Sequence, residues 1–188
     1  MHMIIDEQVI TSRIAAERER DNAVLSNVSI AGSAYQFEKR EFCPDFSIVL
    51  PVNFEQLAPD NLVAKYPNVN RPEVVLSNAE ATVNIAFKCM PAAMRDMDSR
   101  LAEYIAVIKR MHPGYVLFSK DVVNLNSGIK AACYDFRGIA LDSDIYCLNF
   151  FADLPDAELF GWFSCPIDQK ENWESVALMM IKTVTPIS

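Results

Sequence analysis

Hydrophobic and polar positions alternate with two different periods along this chain, and each change of period marks a new element. "YQFEKREF" (Tyr35 to Phe42) alternates aromatic and charged residues, the period of two of a half-buried strand. "DFSIVLP" (Asp45 to Pro51) is a short apolar run closed by proline, and the break Cys43-Pro44-Asp45 before it predicts a tight antiparallel return. "ATVNIAFK" (Ala81 to Lys88) alternates again, with Val83, Ile85 and Phe87 on one face. Between these strands "APDNLVAKY" predicts a helical turn, and "KYPNVNRPEVV" converts it into a further strand. Tyr66 and Arg71 each precede a proline and are biased to extended backbone.

The period then lengthens. Met94, Met97, Leu101, Tyr104, Ile105, Ile108 and Met111 recur at steps of three and four, which predicts a helix from Ala92 to Met111 with Pro91 in its first turn. "HPGY" stops it. The runs "YVLFSK" (Tyr115 to Lys120), "IKAACYDFRGIAL" (Ile129 to Leu141), "DIYCLNFFAD" (Asp144 to Asp153) and "AELFGWFSC" (Ala157 to Cys165) follow as strands. The turns between them are short enough to join only antiparallel neighbours. A last helix is predicted after Asp168-Gln169-Lys170-Glu171, which has capping-box spacing. It presents Trp173, Val176, Ala177, Met180, Ile181 and Val184 along one side before Pro186.

The strand Asp144 to Asp153 decides the architecture. One face holds Ile145, Cys147, Asn149 and Phe151, and the other Tyr146, Leu148, Phe150 and Ala152. Both are largely apolar, so this part of the sheet must be covered on both sides. The predicted fold is therefore α+β: a central antiparallel meander sheet with helices on both faces, an α/β/α sandwich. It forms a single domain over residues 33–188. Residues 1–32 read as an N-terminal extension, with "SRIAAERERDN" (Ser12 to Asn22) of helical composition and "MIIDEQVI" of strand composition.

The order of elements from Tyr35 to Thr185, with the short strand "FSIVLP", the "KYP...RP" stretch and the strand "TVNIAF", resembles the PsbP-like group of folds. That group includes an extrinsic subunit of the photosynthetic oxygen-evolving complex, a Ran-binding nuclear import factor and bacterial DcrB-like proteins. The resemblance implies binding or assembly rather than catalysis, and some bacterial members resemble chaperones that escort secreted effectors. It carries over no catalytic residue.

Composition narrows the function. The net charge is −8, and residues 141–174 hold Asp142, Asp144, Asp153, Asp156, Glu158, Asp168, Glu171 and Glu174 against a single base, Lys170. No stripe of Lys and Arg is present to displace counterions from a phosphate backbone, which argues against nucleic acid as a partner. If Asp142, Asp144, Asp153, Asp156 and Glu158 ring the ends of adjacent hairpins, they form a negative rim suited to a basic protein partner. No apolar stretch approaches the length of a membrane span, and no secretory signal is visible. Cys43, Cys89, Cys133, Cys147 and Cys165 lack metal or redox spacing and read as reduced thiols of a cytoplasmic protein.

Chemistry is sparse. His2 and His112 are the only histidines, too few for a His-based metal site, and His112 sits where a helix end is capped. A thiol of Cys133, Cys147 or Cys165 activated by His112 is the one nucleophile arrangement available, but no electropositive surround is there to lower a thiol pKa. Asp142-Ser143-Asp144 has the form of a cation-binding DxD, and also that of a hairpin turn. No catalytic residue, metal or cofactor is assigned. The expectation is a non-enzymatic protein-binding, adaptor or chaperone-type module with Tyr66, Arg71 and the acidic residues at its surface. The alternative is a small-molecule binder or enzyme with a pocket between sheet and helix.

Overall fold

A computed structural model describes residues 28–42, 46–66, 71–92, 96–140 and 143–187; the predicted helix at Ser12 to Asn22 lies outside them. The described residues open with the hairpin β1 (Val28–Ile30) and β2 (Ser33–Tyr35), followed by β3 (Phe37–Phe42), β4 (Phe46–Pro51), β5 (Glu55–Gln56) and the short helix α1 (Pro59–Lys65). Then come β6 (Val74–Ser77), β7 (Asn84–Pro91), the helix α2 (Met97–Met111) and the long strands β8 (Val116–Asn124), β9 (Lys130–Ile139), β10 (Asp144–Asp153) and β11 (Ala157–Pro166). A 3-10 turn (Ile167–Gln169), the helix α3 (Lys170–Lys182) and β12 (Thr185–Pro186) come last.

Seven strands form the main antiparallel sheet in the order β5-β6-β7-β11-β10-β9-β8. The meander from β8 to β11 is as expected, and β7 adds on the far side of β11, so α2 carries the chain back over β11, β10 and β9. The sequence reading put all strands in one sheet. Instead β3 and β4 pair with β12 as a separate three-stranded sheet, and β1 and β2 form a third. Residues 28–32, assigned from sequence to the extension, are the first strand and turn of that hairpin, and Ile30 is buried in the core.

Both helix starts differ from expectation. Pro91 ends β7 opposite Ala157 instead of opening α2, which starts at Met97 because Asp96 caps it. The Asp96 carboxylate accepts from the Ser99 N–H and hydroxyl, each at 2.9 Å. The capping box at Asp168 does not form: the 3-10 turn occupies that stretch, and α3 has no side-chain cap. Pro186 does not simply end the helix but pairs with Phe46. Thr183 makes that return possible, its hydroxyl accepting from the Val49 N–H at 2.8 Å.

Alternation on β10 and β11 sorts side chains into two cores. Tyr146, Leu148, Phe150, Leu159, Phe163 and Cys165 pack against Trp173, Val176, Ala177, Met180 and Ile181 of α3 and against Phe46, Ile48 and Leu50 of β4. Trp173 lies at the centre, with the rings of Tyr35, Phe54 and Phe163 at 5.3, 5.9 and 5.7 Å. Each large apolar side chain sealed here contributes about 1.5–3 kcal/mol. Gly161 is required opposite Phe150, since a Cβ there would lie 2.1 Å from that ring. On the other face Ala132, Tyr134, Phe136, Phe151 and Phe160 pack against Leu101 and Ile105 of α2.

One ion cluster pins α2 to the sheet. Asp153 and Glu158 face each other across the β10–β11 hairpin end, an arrangement that repels unless a cation intervenes. Arg100, in the first turns of α2, supplies it. Its Nη2 donates to both Asp153 carboxylate oxygens at 2.8 and 2.7 Å, and its Nη1 lies 2.9 Å from Glu158 Oε2. The guanidinium also sits 5.0 Å above the Phe151 ring. Desolvation opposes its charge, but the hydrogen bonds and charges of Asp153 and Glu158 win, and its pKa is raised. Arg100 and Glu158 are each only 3% exposed. Removing one partner strands a buried charge, so Arg100→Met should lower stability by about 3–5 kcal/mol in urea unfolding, and Arg100→Met with Glu158→Leu should recover most of it. A double variant no more stable than the single one contradicts this account of the clamp.

Candidate functional site

An aromatic cleft with a volume of about 620 Å³ opens on the α2 face of the main sheet. It exists because α2 covers only part of that face. Ala132, Phe151 and Phe160 lie buried beneath the helix, whereas Ile145, Cys147, Trp162 and Ser164, on the same face, remain partly exposed. Tyr104, Val107 and Ile108 of α2 form one wall. Tyr66 lies opposite, at the end of α1, and His112 and Tyr115 of the turn after α2 lie at one end. The His112 and Tyr115 rings stack at 4.5 Å, and Tyr115 stacks in turn on Phe136 at 5.2 Å.

Local structure positions Tyr66. Lys65 donates to Ala81 O and Asn84 Oδ1, tying α1 to the loop before β7, and the Tyr66 N–H closes the helix on Leu62 O at 2.9 Å. Tyr66 packs with Leu62 and Trp162 over Leu57, Val75 and Ala86. Burial, with the nearby Cys147 thiol, pushes the Tyr66 phenol up to about 12.

The cleft floor is mostly apolar, with Lys88 and Ser164 among its lining residues, and one buried polar pair stands out. Asn149 stands between Tyr134 on β9 and Trp162 on β11, and its Nδ2 donates to the Tyr134 hydroxyl at 3.2 Å. Sequence reading placed Asn149 on this face without singling it out, although an amide amid aromatic neighbours was the available signal. The cleft contains no arrangement recognisable as a catalytic set. Among the described residues no group of three or more His, Cys, Asp or Glu side chains is placed to hold a metal ion.

The residues picked from sequence do not form one surface. Tyr66 lines the cleft, whereas Arg71 is exposed and not among its lining residues. Asp142 lies outside the described residues. Asp144 pairs with Arg137 at 3.5 Å, at the β9–β10 end of the sheet. Asp153, Asp156 and Glu158 lie at the opposite end of β10, a ten-residue strand and thus about 30 Å away. Asp156 is exposed in its turn, but Asp153 is held by Arg100 and Glu158 is buried beneath it. The single negative rim is therefore corrected to two separated groups. Glu158 leaves the surface because it joins the clamp.

The topology and this cleft define a class of protein by fold: the chain has the PsbP-like fold. No family model matches the sequence, and no curated protein matches it. Among solved structures it is similar to cyanobacterial PsbP (CyanoP) from Synechocystis sp. PCC 6803, at TM-score 0.61 and 9% identity over 84% of this chain and 95% of that one. The Saccharomyces cerevisiae Ran-binding protein Mog1p matches at TM-score 0.55 and 10% identity, over 80% of this chain and 95% of its own. The Pseudomonas aeruginosa protein PA94 matches at TM-score 0.51 and 12% identity, over 81% of this chain and 98% of that one. At these identities the likeness is one of fold.

The thiols bear on catalysis. Desolvation raises Cys133, Cys147 and Cys165 each to about 12 from an ordinary 9.0, so none is a ready thiolate. A group whose pKa is raised by folding stabilises the folded state fully below its unfolded value, and that stability is lost as pH rises through the folded value. For these thiols the window runs from 9.0 to about 12. Unfolding midpoints in urea should fall with increasing pH across that window, and iodoacetamide at pH just below it should label these three cysteines only after unfolding. Rapid labelling of any of them in the folded protein contradicts the assignment.

Proposed function

We propose that the protein is a non-enzymatic binding module of the protein-binding or adaptor type, with its working surface at the mouth of the aromatic cleft. The observation that carries this reading is a set of exposed apolar side chains gathered around the turn between α2 and β8, at the end of the cleft lined by His112 and Tyr115. Val107 and Met111 lie one turn apart on α2, with Met111 65% exposed, and Ile139 is 58% exposed across the following turn. A Cβ on Gly114 in that turn would come within 3.0 Å of Ile139 Cδ1, so the two segments adjoin. Val116, also exposed, pairs with Arg137 two residues before Ile139. Contiguous exposed apolar surface of this kind is uncommon unless it meets a partner.

The similarity to a Ran-binding protein supports the same direction at the level of fold. Within this reading the sheet is the middle of an α/β/α arrangement, Tyr66 is a contact residue at the cleft and the exposed Arg71 one outside its lining, and the protein works in the cytoplasm. Asp144 at this end, with Asp153 and Asp156 at the other, steers a basic partner. Among the described residues no helix is long and apolar enough to cross a membrane.

A second reading, binding of a small molecule, is favoured by the Asn149–Tyr134 pair in the cleft floor. The protein-partner reading is tested with a partner purified from the source cells and its dissociation constant. Ile139→Glu and Met111→Glu should each weaken binding by about tenfold or more, and Asp156→Asn should slow association at low salt. Unchanged affinity in both apolar-to-Glu variants overturns the patch as the interface, and an on-rate indifferent to salt removes the acidic residues from it.

A further inference from the structure

We infer that the cleft floor is a binding site for a small, flat, uncharged aromatic molecule carrying an amide edge, a carboxamide or a lactam. This goes beyond the protein-binding reading and does not depend on it, since Met111, Val116 and Ile139 of the exposed patch are not among the residues lining the cleft, and Val107 alone belongs to both. Asn149 is 5% exposed and Tyr134 is 2% exposed, and both line the cleft. Asn149 Nδ2 donates to the Tyr134 oxygen at 3.2 Å, which uses one of the amide's two N–H groups and none of its carbonyl lone pairs. Because the Tyr134 oxygen accepts that bond, its own hydrogen is left to donate. No other side-chain hydrogen bond of either residue occurs among the described residues.

A polar group kept on an otherwise aromatic sheet face costs stability unless it is satisfied. An aliphatic side chain of similar size would fill the same place at no such cost. The pair therefore offers an acceptor and two donors in a small area, the complement of an amide edge. The surroundings fix the rest of the ligand. Trp162 stands beside Asn149 in register, and Phe160, 4.6 Å from Trp162 between ring centroids, extends the apolar surface. Tyr66 and Tyr104 close the sides. A volume of about 620 Å³ lies within the range of sites for small organic ligands. The two groups that meet the amide edge, Asn149 and Tyr134, are neutral, which selects a neutral group at that point; Lys88 and His112 also line the cleft.

The test uses two probes of equal ring size, 2-naphthamide, which both donates and accepts, and 2-acetylnaphthalene, which only accepts. Binding is followed by NMR on the uniformly labelled full chain, reading the Asn149 side-chain amide and the Trp162 indole. The expected result is saturable binding of 2-naphthamide about tenfold tighter than 2-acetylnaphthalene, with both resonances shifted. Asn149→Leu should abolish that preference while leaving 2-acetylnaphthalene binding unchanged. Tyr134→Phe should weaken 2-naphthamide by severalfold and serves as a second variant if Asn149→Leu fails to fold. Equal affinity for the two probes, no binding of either, an undiminished preference in a folded Asn149→Leu protein, or unchanged 2-naphthamide affinity in a folded Tyr134→Phe protein each overturns the inference. Failure here leaves the Ile139 and Met111 experiment untouched, so the two readings fail separately.

Discussion

Strands β10 and β11 carry apolar side chains on both faces, and the rest of the structure follows from the need to cover both. One face receives α3 and the three-stranded sheet around Trp173, a deep core in which even a Cβ on Gly161 has no room. The other face receives one helix, α2. A single helix is about 10 Å across with its side chains, narrower than the sheet it crosses, so part of the second face stays uncovered. That uncovered part is the cleft.

The helix would not hold its place by apolar contact alone. Arg100 fixes its first turns to the β10–β11 hairpin by neutralising two carboxylates that face each other. This turns one acid of an apparently acidic surface segment, Glu158, into an internal part of the fold and ties a second, the half-exposed Asp153, to the same guanidinium. Net charge, which looked like a statement about partners, is in this region partly a statement about packing. The clamp also sets where the uncovered strip falls, because α2 is anchored at its N-terminal end while its C-terminal end carries exposed Met111 beside the turn to β8.

Much of this was legible in the sequence where a period carried it. The two-sided burial of β10, the stripe of α2, the antiparallel meander and the conversion of helix α1 into strand β6 all follow from local pattern and proline placement. What period two does not encode is the partner of a strand, and so β3 and β4 were placed in the wrong sheet. Glu158 looked like a rim residue because its ion partner, Arg100, is distant in sequence and lies on another element. Proline at position 91 fits a helix start and a strand end equally well, and pairing with Ala157 decided it. The cleft was foreseen only as a pocket between sheet and helix, because its walls depend on where α2 lands. Tyr66 came to attention as a pre-proline residue and proves to be one of those walls, while Asn149 stood in plain view on a face read only for its hydrophobicity.

The central claim is that the second sheet face is left partly open, and the two tryptophans of the chain test it directly. Trp173 is sealed in the first core at 2% exposure, while Trp162 lies partly exposed in the cleft. Acrylamide quenching of the native protein, compared with the Trp162→Phe variant, separates them. The account predicts a readily quenched component that disappears with Trp162 and a protected one that remains. Uniform protection of both indoles in the native protein would mean that α2 closes over the whole face, and it would contradict the account.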